Sequence, residues 1–146
     1  MNDFIINNCS NKLVNNLSHS ILKNSNSYKF HTEQDYYNKT PLIELDSLSN
    51  HLGLNNIYVK DESNRFNLNA FKVLGSTYAI HEILKINSNI DIFCTATDGN
   101  HGKGLAWSAQ KFNKKAIVFV PRDTSKNRIK AIKSYNAIVY QLDLNY

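Results

Sequence analysis

The sequence predicts an α/β fold in which a parallel sheet is flanked by helices. In the second half of the chain, apolar β-branched runs of strand length alternate with longer segments of helical periodicity. Their order is strand, helix, strand, helix, strand, as in a parallel sheet with right-handed crossovers. The 146 residues, 42% of them hydrophobic, can also build one ordinary core.

The N-terminal region carries weaker signals. Residues 1–39 are polar and rich in Asn and Ser, with helical spacing only around Leu13, Leu17, Ile21 and Leu22, and we expect them to form a leader. From residue 40 onward the signals become sharp. We therefore expect a structured domain to occupy residues 40–146.

Three short elements open this domain. Pro41 starts an extended segment, and a strand follows at Asn56–Lys60. Between them lies a short helix, which Asp46 is expected to cap and Gly53 to end.

The second half of the chain supplies the predicted sheet and its helices. Proline and capping signals mark their ends, with Pro121 after one strand and Thr124 before the last helix. Cys94 stands within an apolar strand and is expected to be buried. The predicted elements are a helix from Asn69 to about Lys85, a strand Ile90–Thr97, a helix over 104–112, a strand Lys115–Val120, a helix over 125–135 and a strand Ala137–Leu142.

Composition excludes several classes of function. The 17 basic and 12 acidic residues leave a net charge of +5 without any basic run, so we expect no nucleic-acid partner. No apolar run approaches the roughly 18 residues of a membrane helix, and no signal peptide is evident, so we expect no membrane association and a cytoplasmic location. The five histidines and two cysteines lack metal-ligand or disulfide spacing, and we expect no metal site.

Lys72 stands in an unusual setting for a lysine at a helix start. Phe71 precedes it, and small residues, Gly75, Ser76 and Ala79, share its helix face. An amine in such a setting loses water, which disfavours its charged form and favours imine chemistry with a carbonyl group. A lysine that simply extends into solvent is the alternative, and on this motif alone it is the more common case.

The loop CTATDGNHGKG, residues 94–104, is the second candidate feature. It connects a strand to a helix and holds Asp98, Asn100 and His101 between glycines. Ligands of open α/β sheets bind at the carboxyl ends of strands, where helix N–H groups are free. An Asp-Gly turn with an Asn cap would explain the same residues without any ligand.

Two nucleotide-binding motifs resemble this loop but do not match it. A P-loop requires Ser or Thr after its lysine, whereas Gly104 follows Lys103. A dinucleotide fingerprint requires a third small residue, and that position is Trp107.

Three ordered segments, TPLIELDSL, VKDESNRFNLNAFKVLG and TATDGNHGKGLAWSAQ, resemble the fold-type-II pyridoxal-phosphate enzymes. The resemblance runs from about His31 to the end of the chain and is closest to the diaminopropionate ammonia-lyase family. It implies a tryptophan synthase β-like fold, of which residues 40–146 are the N-terminal portion of the catalytic domain and the C-terminal part is missing.

The resemblance also implies a reaction and a site. The cofactor would be pyridoxal 5'-phosphate, and diaminopropionate would be converted by α,β-elimination to pyruvate and two ammonia. Lys72 would bind the cofactor covalently beside Phe71 and Gly99, and Asn100 would hydrogen-bond its phenolic oxygen. Asp98 would act as a second base on the opposite face. Members of the family suggest a homodimer.

One part of the family pattern is absent from the sequence. The five glycines are never clustered as the loop for the cofactor phosphate requires, and the chain stops directly after a strand. We therefore expect a fragment that is inactive alone. A serine or threonine dehydratase-like β-eliminase, which would have a small residue in place of Asp98, and a non-catalytic remnant remain alternatives.

Overall fold

The computed structural model describes residues 26–97 and 99–143. The patch of helical spacing at residues 13–22 lies outside this part. The elements are α1 (Ser27–Thr32), β1 (Leu42–Glu44), α2 (Asp46–Leu52), β2 (Tyr58–Lys60), a 3-10 turn (Arg65–Asn67), α3 (Lys72–Ile86), β3 (Ile92–Ala96), α4 (Asn100–Lys111), β4 (Lys115–Pro121), α5 (Lys126–Lys133) and β5 (Ile138–Leu142).

The main sheet is parallel, as predicted. Its order is β3-β4-β5, with Ile92 opposite Lys115 and Ile117 opposite Ile138. The strands β1 and β2 form a separate antiparallel ribbon, in which Leu42 lies opposite Lys60. The pairing of these two strands was not predicted from the sequence.

The core lies on one face of the main sheet. Alternate residues of β4 are buried and pack against α4, on which α3 and α5 pack in turn. The buried cluster consists of Ile80, Phe93, Leu105, Ala106, Ala109, Ala116, Val118, Val120, Ile132 and Ala137. Because α3, α4 and α5 all contribute to it, they cover the same face.

The prediction that Cys94 is buried is wrong. Successive side chains of a strand point to opposite faces, so Phe93 enters the core while Cys94 and its neighbour Ile92 face away. No described helix covers that second face over β3. A continuous apolar run therefore does not guarantee burial on both sides.

Two of the predicted caps are also wrong. Asp46 is the first helical residue of α2 rather than its cap, which is Leu45. At α5 the cap is Ser125, whose Oγ accepts a hydrogen bond from the Arg128 N–H. Thr124 lies one residue earlier, in a turn where its N–H donates to the Pro121 carbonyl. The end of α2 is as predicted, since Gly53 has a left-handed φ of 65°.

The helix α3 begins at Lys72, three residues later than expected. Asn69 has φ 58°, which excludes it from a right-handed helix. At the other end of α3, a short turn leads into β3, so the start of α3 lies towards the carboxyl end of that strand. The helix α4 begins at the same edge, directly after β3.

The helix α1 lies within the predicted leader and packs on α3. The ring of Phe30 contacts Tyr78 and His81, with ring centroids 5.5 and 4.3 Å apart. His31 is buried beside them, and burial lowers the pKa of its imidazole.

Candidate active site

The first turns of α3 and α4 are in direct contact. A Cβ on Gly104 would lie 3.1 Å from the Val73 Cα and 3.3 Å from the Lys72 carbonyl carbon. One turn further along, the hydroxyls of Thr77 and Ser108 are 2.8 Å apart and fully buried. A Cβ at position 104 would be more tightly packed than most real Cβ atoms, so this close approach favours glycine and places the backbone of Lys72 against α4.

This contact brings Lys72 and Asn100 to the same edge of the sheet. Asn100 lies four residues before Gly104, on the same face of α4 and one turn closer to its start. Both side chains are exposed. Lys72 and Asn100 are thus the first residues of two helices whose first turns are in contact.

The surroundings of Lys72 differ from the sequence prediction. Lys72 is exposed, and so is 60% of Phe71, so the described residues do not keep water from the amine. Successive helix positions diverge by about 100°, and Val73 is the residue that turns inward, against Leu68 and Trp107. Among the described residues, none hydrogen-bonds or pairs with the Lys72 amine.

The glycines near the helix starts fall into two groups. A Cβ on Gly102 would meet the Thr97 Cγ2 at 2.5 Å and the Val118 Cγ1 at 2.8 Å, so packing requires that glycine. A Cβ on Gly75 or Gly99 would meet nothing within 4 Å. The two open glycines leave space at different places, since Gly99 lines one cavity with Asn100 and Gly75 lines another with Arg65 and Tyr78. The residues present therefore leave room for a pyridine ring beside Gly99 and Asn100.

Both helix starts also offer free backbone donors. The residues that precede α3 and α4, Phe71 and Gly99, provide no side-chain cap, and neither helix has an acidic residue in its first turn. The start of α5, in contrast, is capped by Ser125. Uncapped N–H groups and the positive end of the helix dipole favour an anionic or electron-rich group at this edge.

Sequence reasoning missed a buried ion pair in the loop before Lys72. Arg65 is 5% exposed and donates to both carboxylate oxygens of Glu62, at 2.6 and 2.8 Å. Thr40 donates to Glu62 at 2.6 Å and accepts from the Arg65 Nη2 at 2.9 Å. The Arg65 guanidinium lowers the pKa of Glu62 to about 2. The spacing of Glu62 and Arg65 was visible in the sequence, whereas the contact with Thr40 was not.

The same loop is attached to α4. The ring of Phe66 stacks on Trp107 with centroids 5.4 Å apart, and the Lys103 Nζ donates to the Leu68 carbonyl at 2.9 Å. Leu68 is 1% exposed. The chain therefore reaches Lys72 along a path that is held against the helix carrying Asn100.

The structure brings together four of the five predicted site residues: Phe71, Lys72, Gly99 and Asn100. Asp98 lies outside the described residues. Within the described ranges, His, Cys, Asp and Glu form no group that could hold a metal ion. None of the helices in that part of the chain is long and apolar enough to cross a membrane.

Several known proteins are similar to this chain. It is 40% identical over 135 residues to the diaminopropionate ammonia-lyase of Escherichia coli K12, covering 81% of this chain and 34% of that protein. The crystal structure of the E. coli lyase with an aminoacrylate-PLP azomethine reaction intermediate matches with a TM-score of 0.78 and 41% identity, covering 82% of this chain and 34% of that one.

A second enzyme class is also similar. The biosynthetic L-threonine dehydratase of Staphylococcus epidermidis RP62A is 35% identical over 80 residues, covering 55% of this chain and 18% of that protein. The chain thus spans about a third of the length of the curated lyase it matches. Residues 33–146 match the family model described as pyridoxal-phosphate dependent enzyme, and the chain therefore belongs to this family.

Proposed function

We propose that this chain is the N-terminal part of a pyridoxal-phosphate-dependent diaminopropionate ammonia-lyase. The observation that carries the proposal is the meeting of two helix starts, where Lys72 and Asn100 stand on either side of a contact at Gly104. The 40% identity to the E. coli lyase favours this substrate over others of the family.

Each residue at the helix starts has a role in the proposal. Lys72 would hold the cofactor covalently through its exposed amine and would later exchange protons with the substrate Cα. Asn100 would donate a hydrogen bond to the phenolic oxygen, and Gly99, in the same cavity, would leave room for the ring. When bound, pyridoxal phosphate supplies an electron sink for the negative charge that develops at Cα.

The elimination needs a second base if both enantiomers are to react. We assign that role to Asp98, on the face opposite Lys72, and nearby helix N–H groups would favour its ionised form. The α-proton passes to the base, the bond from Cβ to nitrogen breaks, and the β-amino group leaves as ammonia. Hydrolysis of the released 2-aminoacrylate then gives pyruvate and the second ammonia.

The remaining parts of the site are proposed to come from elsewhere. The loop that holds the cofactor phosphate would be rich in glycine, and the glycines of this sequence are not clustered. Several charge-assisted hydrogen bonds, each worth roughly 1.5–3 kcal/mol, would be missing without it. We therefore propose that the isolated chain is inactive, and that the complete enzyme is a cytoplasmic homodimer.

A dehydratase acting on serine or threonine is the second candidate function. The 35% identity to the threonine dehydratase over 80 residues favours it. Asp98 argues against it, because the resemblance to the dehydratases implies a small residue there. The two functions differ in the leaving group, which is an amine in one case and a hydroxyl in the other.

Covalent trapping tests the role of Lys72. Residues 33–143 are placed in the E. coli lyase in exchange for its own segment, which supplies the rest of the site, and this chimera is incubated with pyridoxal phosphate, reduced with borohydride and mapped by peptide mass spectrometry. The phosphopyridoxyl label is expected on Lys72 and not on Lys126, which is also exposed and also begins a helix. Equal labelling of the two lysines, or none at Lys72, would contradict the proposal.

Substrate choice is tested in a complete enzyme. Residues 33–143 are placed in the E. coli lyase in exchange for its own segment, and pyruvate release is followed with diaminopropionate, L-serine and L-threonine. Preference for diaminopropionate is expected. Preference for a hydroxy amino acid would support the dehydratase instead.

A further inference from the structure

The loop that leads into Lys72 has an uncommon backbone. Phe66, Asn67 and Asn69 have φ values of 49°, 57° and 58°, all in the left-handed region. Asparagine tolerates that region, but an aromatic residue rarely adopts it. Such a backbone persists only where surrounding contacts over-determine it.

The contacts that hold this backbone converge on Arg65. Its guanidinium donates to both Glu62 oxygens, to the Thr40 hydroxyl and, from Nη1, to the Asn38 carbonyl at 2.9 Å. Arg65 thus joins residues 38–40 to the loop at the residue directly before its first left-handed position. The Arg65 guanidinium also lies over the Tyr37 ring, 5.6 Å from its centroid.

The geometry of these bonds requires arginine. Four N–H groups of the planar guanidinium bond to a carboxylate, a hydroxyl and a carbonyl at the same time. A lysine has a single ammonium group with three donors, which are not held in fixed directions. The pair is ionised throughout the neutral range, because the partners hold the pKa of Glu62 low and that of Arg65 high.

We propose that Arg65 is a positioning residue, which holds the left-handed loop so that α3 begins at Lys72 and directs its amine to the site. This inference rests on the proposed function, in which the Lys72 amine binds the cofactor. Arg65 touches neither cofactor nor substrate in this role. Its effect reaches Lys72 through the loop, with Phe66 and Leu68 held against α4.

Hydrogen exchange of the 146-residue chain tests the proposal directly. In Arg65→Lys, amides of residues 66–76 are expected to exchange at least about tenfold faster. Local opening of the loop then breaks fewer hydrogen bonds and costs less free energy. Amides of α5 should not change. The matched control is Arg122→Lys, because Arg122 pairs with Asp143 at a similar 2.9 Å but the two side chains are 76% and 78% exposed.

Two variants of Thr40 test whether its hydroxyl is needed to protect the loop. Thr40→Val removes the hydroxyl that Glu62 and Arg65 share, and we expect the same local loss of protection. Thr40→Ser keeps the hydroxyl and should retain protection within about twofold. In the labelling experiment, the yield of trapped phosphopyridoxyl at Lys72 should fall in Arg65→Lys and Thr40→Val and remain in Thr40→Ser.

The outcomes separate this proposal from the proposed function. Unchanged exchange of residues 66–76 in Arg65→Lys would overturn the positioning role, whatever happens to the label. Loss of protection throughout the chain, α5 included, in both Arg65→Lys and Thr40→Val would also overturn it, since the pair would then serve global stability. Failure to label Lys72 in the chimera with the unmodified segment would contradict the proposed function, while hydrogen exchange of the chain still decides the role of Arg65.

Discussion

The starts of α3 and α4 have a packed side, which includes Gly102 and Gly104, and an open side, which includes Gly75 and Gly99, and the two sides differ in what surrounds them. On the packed side, a Cβ on Gly102 would collide with Thr97 and Val118, and a Cβ on Gly104 would press tightly on the backbone of α3. On the open side, a Cβ on Gly75 or Gly99 would meet nothing. The packed side is explained by contacts within this chain, whereas no contact with a described residue explains glycine on the open side.

The largest expected effect is on the open side, at Lys72. In Lys72→Met, borohydride trapping with pyridoxal phosphate should leave no label on the peptide that spans residue 72. The free energy of unfolding should change by no more than about 0.5 kcal/mol, because the side chain is exposed and Met is a good helix former. Peptide mass mapping and urea unfolding measure the two quantities.

Lys126→Met is the control for that experiment. Lys126 is also exposed and also begins a helix, so its replacement should leave the label at Lys72 intact. A large loss of stability in Lys72→Met would show that Lys72 belongs to the packed side instead.

The next effect is the acid sensitivity of the Glu62–Arg65 pair. Folding lowers the pKa of Glu62 from 4.5 to about 2, so its contribution is present above pH 4.5 and is lost as the pH falls towards 2. This shift corresponds to at most ~3 kcal/mol of unfolding free energy. Glu62→Gln should abolish that part of the pH dependence, measured by urea unfolding between pH 6 and 2.

Glu82→Gln is the matched control. Glu82 also pairs with a basic residue three positions later, at 2.7 Å from the Lys85 Nζ, but its side chain is 42% exposed. The pH dependence should therefore be almost that of the unmodified chain. Identical acid curves for the unmodified chain and Glu62→Gln would mean that the buried pair does not stabilise the loop.

The packed side is tested by Gly102→Ala. The new methyl group would collide with two branched side chains, Thr97 and Val118, which cannot rotate away in a filled core. Because the two contacts would be 2.5 and 2.8 Å, the overpacking cost should lie near the upper end of its usual range, about 2–3 kcal/mol, and the better helix propensity of Ala returns about 1 kcal/mol, so we expect a net loss of about 1–2 kcal/mol. No change in unfolding would contradict the assignment of Gly102 to the packed side.

The sequence predicted the parallel sheet and the positions of its strands and helices, because hydrophobic periodicity and loop residues are local signals. It also singled out Lys72 and the loop of Asn100. Burial was predicted less well. Cys94 and Lys72 were expected to be shielded, but which side of a strand or helix is covered depends on distant segments.

The contacts that hold the loop before Lys72 were not predicted either, because they also join segments that are distant in sequence. Thr40 lies 22 residues from Glu62 in sequence, and no local pattern links them. The caps of α2 and α5 were each misplaced by one residue. At α5, Thr124 and Ser125 can both cap and stand side by side, whereas α2 begins after Leu45, which provides no side-chain cap.

The smallest change is the most informative about the open side. In Gly75→Ala, the added methyl group meets no atom within 4 Å, and the exposed helix position gains up to about 1 kcal/mol in urea unfolding because Ala is the better helix former. If a ring lies over α3 beside Lys72, the same methyl group should reduce the trapped label at residue 72. A variant that is more stable and yet labels less would separate folding from binding at one position. Full labelling in a stabilised Gly75→Ala would instead place the ring away from α3, on the Gly99 side of the contact.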